Sequence, residues 1–260
     1  MADPRVLMVV PTLGRRPLLL KQCLASIAAQ SVETRTVLVA PPSAPVVTEL
    51  ADWHGASVVD DPGGLAAAIN AGVDSAPGVP YVNWIGDDDL LEPGSLAATV
   101  AALDADPGAV LAYGACRYID EDGRQLWVSS AGQWAARILK WGPDLIPQPG
   151  MLVRRSAWDA AGGLDSTFRF AFDLDLLLSI QPMGRFVDVG EVVSSFRWHQ
   201  DSLTVGDRSA SLRESETARR RALSPTARRL AWLWEAPVRL ATRTAAAELH
   251  RRAERLVRQP

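Results

Sequence analysis

The sequence predicts an α/β protein with a doubly wound, mostly parallel sheet, a mixed second half and a C-terminal helical extension. Three observations carry this. Four short apolar runs within the first 85 residues are separated by segments with helical spacing. The fourth run, Tyr81–Ile85, ends in Asp87-Asp88-Asp89, and Pro93-Gly94 then opens another helical stretch. From Ser209 onward the chain is Arg-rich and helical in pattern, with Pro225 and Pro237 as breaks.

The elements follow in order. Val6–Val10 is a continuous apolar run closed by Pro11, as a strand buried on both faces requires. Leu20, Cys23, Leu24 and Ile27 recur at helical spacing after Arg16-Pro17. Thr36–Ala40 is a strand stopped by Pro41-Pro42; Val46–Trp53 is a helix, and Ser57–Val59 a short strand. Gly63-Gly64 opens an Ala-rich helix to about Asp74, and Tyr81–Ile85 is the fourth strand. The pattern then changes. Ser95–Leu103 is helical, and Val110–Ile119 pairs with Gln125–Val128 across the turn Asp120–Gly123. Met151–Val153 is a strand, Ala157–Ala161 a helix ended by Gly162-Gly163, and Phe172–Ile180 a helix. Val187–Val189 and Val192–Phe196 read as two short strands. The expected division is a catalytic-type domain over residues 1–208 and the extension over 209–260.

Composition bounds the function. With 48% hydrophobic and 22% charged residues, the 260-residue chain can bury a sizeable core. The net charge of −3 divides into +7 over residues 209–260 and −10 over the rest. A basic tail carrying Trp232, Leu233 and Trp234 among arginines suits either an anionic membrane surface or packing against the domain or a second copy. Peripheral membrane contact or a homodimer through residues 225–260 is therefore expected. Nucleic acid is not, because no aromatic stacking platform accompanies a basic groove. Cys23 and Cys116 sit in apolar runs without metal-type spacing, as buried thiols of a reducing compartment do. No export signal and no run of 18 uncharged apolar residues occurs, so the expected location is cytoplasmic or on the cytosolic face of a membrane.

Three adjacent carboxylates repel one another and need a cation close by. A bare Asp triplet is also compatible with a solvated acidic loop. Its place at the carboxyl end of a buried strand favours a divalent ion carrying a phosphorylated ligand.

Taken together the motifs resemble the inverting family-2 glycosyltransferases of the GT-A fold, over roughly residues 5–205. The matching pieces are Val9-Val-Pro-Thr12 with Arg15-Arg16, Gly63-Gly64 through Asn70, and Trp84-Ile-Gly-Asp-Asp-Asp-Leu-Leu-Glu-Pro-Gly94. Pro147-Gln-Pro-Gly through Arg155, Gly162-Gly-Leu-Asp165, Phe172-Asp-Leu-Asp175 and Phe196-Arg-Trp-His through Thr204 follow in the family's order.

The resemblance implies transfer of a hexosyl or deoxyhexosyl unit from a UDP- or dTDP-linked sugar to a hydroxyl of a glycan or lipid-linked acceptor, as in polysaccharide biosynthesis. It places Pro11, Thr12, Arg16, Asn70, Asp87, Arg197 and His199 at the donor, and Mn²⁺ or Mg²⁺ on Asp88 and Asp89. Asp173 falls on the position of the catalytic base, where a helix dipole is expected to keep it ionised. Gln148, Asp165 and Asp175 fall on the acceptor side. One departure stands out: family members commonly carry an Asp pair after the second strand that reads the base, and here Ala40-Pro41-Pro42 has no acid. Two other readings remain open, a nucleotidyltransferase of related fold and a non-catalytic nucleotide- or sugar-binding protein. The first lacks a Gly-rich phosphate loop with Lys, since Pro11–Arg16 holds one Gly and no Lys.

Overall fold

The computed structural model describes residues 3–129, 132–198 and 208–239. Its first half is built as the apolar runs require. Strands β1 (Val6–Pro11), β2 (Thr34–Ala40), β3 (Ser57–Asp60) and β4 (Tyr81–Trp84) are all parallel, in the spatial order β3-β2-β1-β4. Helices α1 (Pro17–Ala28), α2 (Pro45–His54) and α3 (Leu65–Asp74) connect them. Side chains alternate along a strand, so β1 divides its contacts between two layers. Val6, Met8 and Val10 join Leu20, Cys23, Leu24 and Ile27 of α1. Leu7 and Val9 face the other way, in one cluster with Ile69 and Val73 of α3. Both cysteines are free and buried.

Beyond β4 the sheet becomes mixed. After the two-residue β5 (Leu90–Leu91), helix α4 (Ser95–Ala105) leads into β6 (Ala109–Ile119) and its hairpin partner β7 (Gln125–Ser129). Helix α5 (Trp134–Ile138) precedes β8 (Leu152–Arg154), which lies antiparallel between β4 and β6. Helices α6 (Arg155–Ala161) and α7 (Phe172–Ile180) then lead to β9 (Arg185–Arg197). The two short strands expected at 187–196 are one strand of 13 residues, parallel to β6 along its length. Gly190, at φ 73°, carries the chain through the point that reads as a turn. Opposite it the register shifts at Tyr113–Ala115, where any side chain on Gly114 would lie 2.5 Å from the Glu191 carbonyl. The pair β6–β9 therefore bends rather than breaks.

Helix α8 (Arg208–Ala222) packs on α7 and contributes Ala218 to the core cluster that holds Leu174 and Leu177. Helix α9 (Pro225–Leu230) is capped by Ser224, whose hydroxyl accepts the Ala227 N–H, and residues 232–239 form a last described helix. The described part of the extension thus lies back against the sheet's helices. Among the described residues no helix is long and apolar enough to cross a membrane.

Candidate active site

The parallel strands β1, β2 and β4 all point their carboxyl ends to one edge, the place where open α/β sheets bind ligands. A cavity of about 1000 Å³ opens there. Pro11, Arg16, Asp87, Asp88 and Asp89 line it, as do Gln148 and Asp173, with further walls from β6, β7 and the extension.

Each member of the Asp triplet is held differently. The Thr12 hydroxyl donates to Asp87 Oδ2 at 2.6 Å and accepts the Gly14 N–H at 3.0 Å. Thr12 is thereby occupied in joining the β1 and β4 loops, and Pro11 rather than Thr12 lines the cavity. Arg16 donates to Asp88 Oδ2 at 2.6 Å. Asp89 is buried, its Oδ1 accepting the Arg197 N–H at 2.9 Å. Burial first, then the charge of Asp88, pushes the Asp89 carboxyl well above its ordinary range; the Arg197 N–H pulls the other way.

Do these residues suit a divalent ion? A methyl on Gly86 would lie 3.1 Å from Asp88 Oδ1 and 3.0 Å from Asp89 Oδ2, so both carboxylates converge over a position that only glycine leaves open. Hard oxygen donors that converge in this way fit Mg²⁺ or Mn²⁺. Among the described residues no three His, Cys, Asp or Glu side chains form a complete cage. Two carboxylates completed by phosphate oxygens and water is the arrangement Mg²⁺ ordinarily takes in nucleotide sites.

Several expected contacts are spent elsewhere. Arg197 was expected at the diphosphate, but it is buried and braces the loops from beneath. Its guanidinium donates to the carbonyls of Asp88 (3.1 Å), Asp120 (3.0 Å) and Glu121 (2.7 Å) and to Gln22 Oε1 (3.0 Å). Arg197 still borders the cavity, whereas Asn70 does not reach it. It donates to the Leu164 carbonyl at 2.8 Å and accepts the Leu164 N–H at 2.9 Å, clamping the Gly162–Asp165 turn to α3. Asp165 and Asp175, expected on the acceptor side, lie outside the large cavity and face Arg221 of α8 at 2.7 and 3.7 Å. His199 lies outside the described residues.

Gln148 does line the cavity, while its amide donates to the Trp84 carbonyl at 2.6 Å. Where the acid pair is missing, the Ala40 carbonyl instead accepts the Asp61 N–H at 3.0 Å, and Asp61 Oδ1 accepts the Gly63 N–H at 2.8 Å.

Asp173 sits in the first turn of α7, with the Leu174 N–H donating to its Oδ1 at 2.7 Å. Burial outweighs this backbone support and lifts the carboxyl to about 6. The rise stops below neutral, so the ionised form expected at a helix start still prevails at neutral pH. The start of α7 is in turn fixed by Glu214 of α8. Its carboxylate accepts the N–H groups of Arg169 (3.1 Å), Phe170 (2.6 Å) and Ala171 (3.0 Å).

Residues missed by the sequence reading complete the wall. Asp144, in the loop after α5, is pushed up to about 7 by burial and by Asp173. Arg219, Glu216 and Arg239 come from the extension, with Trp141 and Trp234 beside them. For the residues of the extension the sequence signal was a basic, Trp-bearing tail, which does not say what the tail covers; Trp141 and Asp144 gave none.

The fold and the cavity define an α/β protein that gathers carboxylates in a cavity at the carboxyl edge of a GT-A sheet. The family model described as "Glycosyl transferase family 2" matches residues 8–157, and the chain belongs to that family. Among curated relatives it is 28% identical over 238 residues to the O-antigen biosynthesis protein RfbC of Myxococcus xanthus, covering 85% of this chain and 18% of that protein. It is 24% identical over 144 residues to a chondroitin synthase of Pasteurella multocida, covering 55% of this chain and 15% of that enzyme. The chain thus spans less than a fifth of these relatives' length. Among solved structures, a mannosyltransferase from Pyrobaculum calidifontis in complex with GDP-Man and Mn²⁺ superposes with a TM-score of 0.65 at 20% identity, covering 95% of this chain and 76% of that one. S. aureus TarS residues 1–349 give 0.59 at 15% identity, covering 82% and 65%. At such identities these two show the shared fold.

Proposed function

We propose that this family-2 glycosyltransferase moves a hexosyl or deoxyhexosyl unit from a UDP- or dTDP-linked donor to a hydroxyl of a glycan or lipid-linked acceptor, with inversion. The observation that carries the reading is that the Asp87–Asp89 triplet and Asp173 line one cavity at the carboxyl ends of the parallel strands. In this reading Asp88 and Asp89 hold Mg²⁺ or Mn²⁺, which neutralises charge on the departing diphosphate. Arg16, now paired with Asp88, exchanges that carboxylate for a phosphate oxygen. Asp87, fixed by Thr12, faces the ribose. The acceptor oxygen bonds to the anomeric carbon as the bond to the diphosphate oxygen breaks, and the hydroxyl proton passes to Asp173. Pro11 borders the nucleoside. Exposed Leu230, Trp232 and Leu233 beside Arg228 and Arg229 give the extension a face suited to anionic lipid, where a lipid-linked acceptor resides.

The test is a panel of UDP- and dTDP-sugars incubated with Mn²⁺ and oligosaccharide acceptors, read by nucleotide chromatography and product NMR. Nucleoside diphosphate release with an inverted anomeric proton coupling is expected. Release of pyrophosphate would mean nucleotidyl transfer, and tight binding without turnover would mean a non-catalytic binder.

A further inference from the structure

Three carboxylates of the extension and its surroundings already have partners of their own. Glu216 receives Arg239 at 2.7 and 2.9 Å, Glu235 receives Arg220 Nε at 2.7 Å, and Glu214 receives the backbone before α7. Asp144 and Arg219 are different. Asp144 accepts the Ile146 N–H at 2.9 Å through Oδ1, and its charge faces Asp173 of α7 and Arg219 of α8. Arg219, faced by Asp144, Glu216 and Glu235, has its Nε buried with no hydrogen-bond partner. A buried donor without a partner costs on the order of 1–3 kcal/mol, so a small shift of Arg219 that brings this N–H to a ligand oxygen is favoured. Asp144 and Arg219 line the cavity that holds Asp173. The same cavity is lined by Trp141, 46% exposed, and Trp234, with ring centroids 5.0 Å apart at 69°.

A carboxylate, a guanidinium and an indole face together match one ligand chemistry. A pyranose presents hydroxyls around its edge, which accept from guanidinium and donate to carboxylate, and an apolar C–H face that covers an aromatic ring. An acyl chain alone would leave both charges unmet. We infer that Asp144, Arg219 and the Trp141–Trp234 pair form the subsite for the acceptor saccharide, so that the hydroxyl receiving the transferred sugar belongs to a sugar unit. This rests on the glycosyltransferase reading above and deepens it: the extension supplies half of the subsite, so residues outside the matched stretch 8–157 select the acceptor.

Saturation-transfer NMR on the full chain, with methyl glycosides of glucose, galactose, mannose and N-acetylglucosamine at millimolar concentration, tests this without any donor. The expected result is transfer to at least one glycoside, reduced at least five-fold in Asp144→Asn and in Trp234→Ala. Calorimetry of UDP with Mn²⁺ on the same samples reports whether the donor side is intact, and an affinity within two-fold of the unmodified protein is expected. Arg219→Lys, which keeps the charge but loses the Nε–H, is read by the same criterion should another variant fail to fold. No saturation transfer to any glycoside, or equal transfer in all variants, would overturn the subsite. Glycoside binding without any nucleotide binding would instead overturn the donor reading and leave the subsite standing.

Discussion

The two sides of the cavity are built in opposite ways. The triplet side is made of strand ends, and its groups are tied to one another: Thr12 to Asp87, Arg16 to Asp88, the Arg197 N–H to Asp89. The Asp173 side is made of helix ends and loops, and it is fixed from outside by α8 through Glu214. Strand ends in register bring the triplet to the edge of the sheet, where neighbouring loops tie it down. The helix start that carries Asp173 has no such register, and here a second helix clamps it. The lesson is that the triplet side is held within the sheet and its loops, β9 included, while the Asp173 side depends on a helix of the extension.

The largest expected effect separates the two halves directly. Removing a positioned general base costs on the order of 10²–10⁴ in rate. Asp173→Asn should therefore lower kcat by that amount in a donor-turnover assay. Wild-type kcat in this variant would leave the comparison without its catalytic half.

Next in size is the clamp. Glu214→Ala leaves three N–H groups before α7 without their carboxylate, and each such charge-assisted bond contributes on the order of 1–3 kcal/mol. A fall in Tm of several degrees is expected by calorimetric scan, with kcat down roughly ten-fold because the base is displaced. Nucleotide affinity should hold. A loss of nucleotide binding as large as the loss of kcat would mean that the clamp serves both halves.

The pH dependence sharpens the same point. Burial raises Asp173 to about 6, so its active, ionised form is lost as pH falls through that value. Plots of log kcat/KM against pH, which report the free enzyme, should bend downward near pH 6 on the acid side and stay level above it. A bend near 4, where an ordinary carboxylate titrates, would place the base in a solvated position.

How much of this was legible follows the same division. Strands β1 to β4 announce themselves because buried parallel strands are continuous apolar runs, and the triplet stands out at the end of one. The 13-residue β9 read as two strands because Gly190 interrupts its apolar pattern, and pairing with β6 across a bulge is a tertiary fact. Asp87 to Asp89 and Asp173 were singled out from motif order, and the structure brings them to one cavity. Arg197 was singled out too, and it both borders the cavity and braces its loops, whereas Asn70 clamps a turn away from the cavity, a difference that pattern reading does not encode. Asp144 and Arg219 were invisible. Their meaning comes from a loop and a helix meeting across some 75 residues of sequence, and no local periodicity encodes that.

The smallest expected effect is on base selectivity. With Ala40 and Pro41 where the acid pair usually stands, UDP and dTDP should bind within a few-fold of each other at fixed Mn²⁺. Ala40→Asp should widen that gap. Strong preference for one base in the unmodified protein would assign base reading to another side chain.

The most direct measurement of the central claim is calorimetric titration of UDP into the unmodified protein, Asp88→Asn and Asp173→Asn, each with Mn²⁺ and again with chelator. If Asp88 and Asp89 hold the cation and Asp173 serves only the acceptor, Mn²⁺ should tighten binding at least ten-fold in the unmodified protein and in Asp173→Asn, and hardly at all in Asp88→Asn. Equal affinities with metal and with chelator, or a loss in Asp173→Asn as large as in Asp88→Asn, would contradict it.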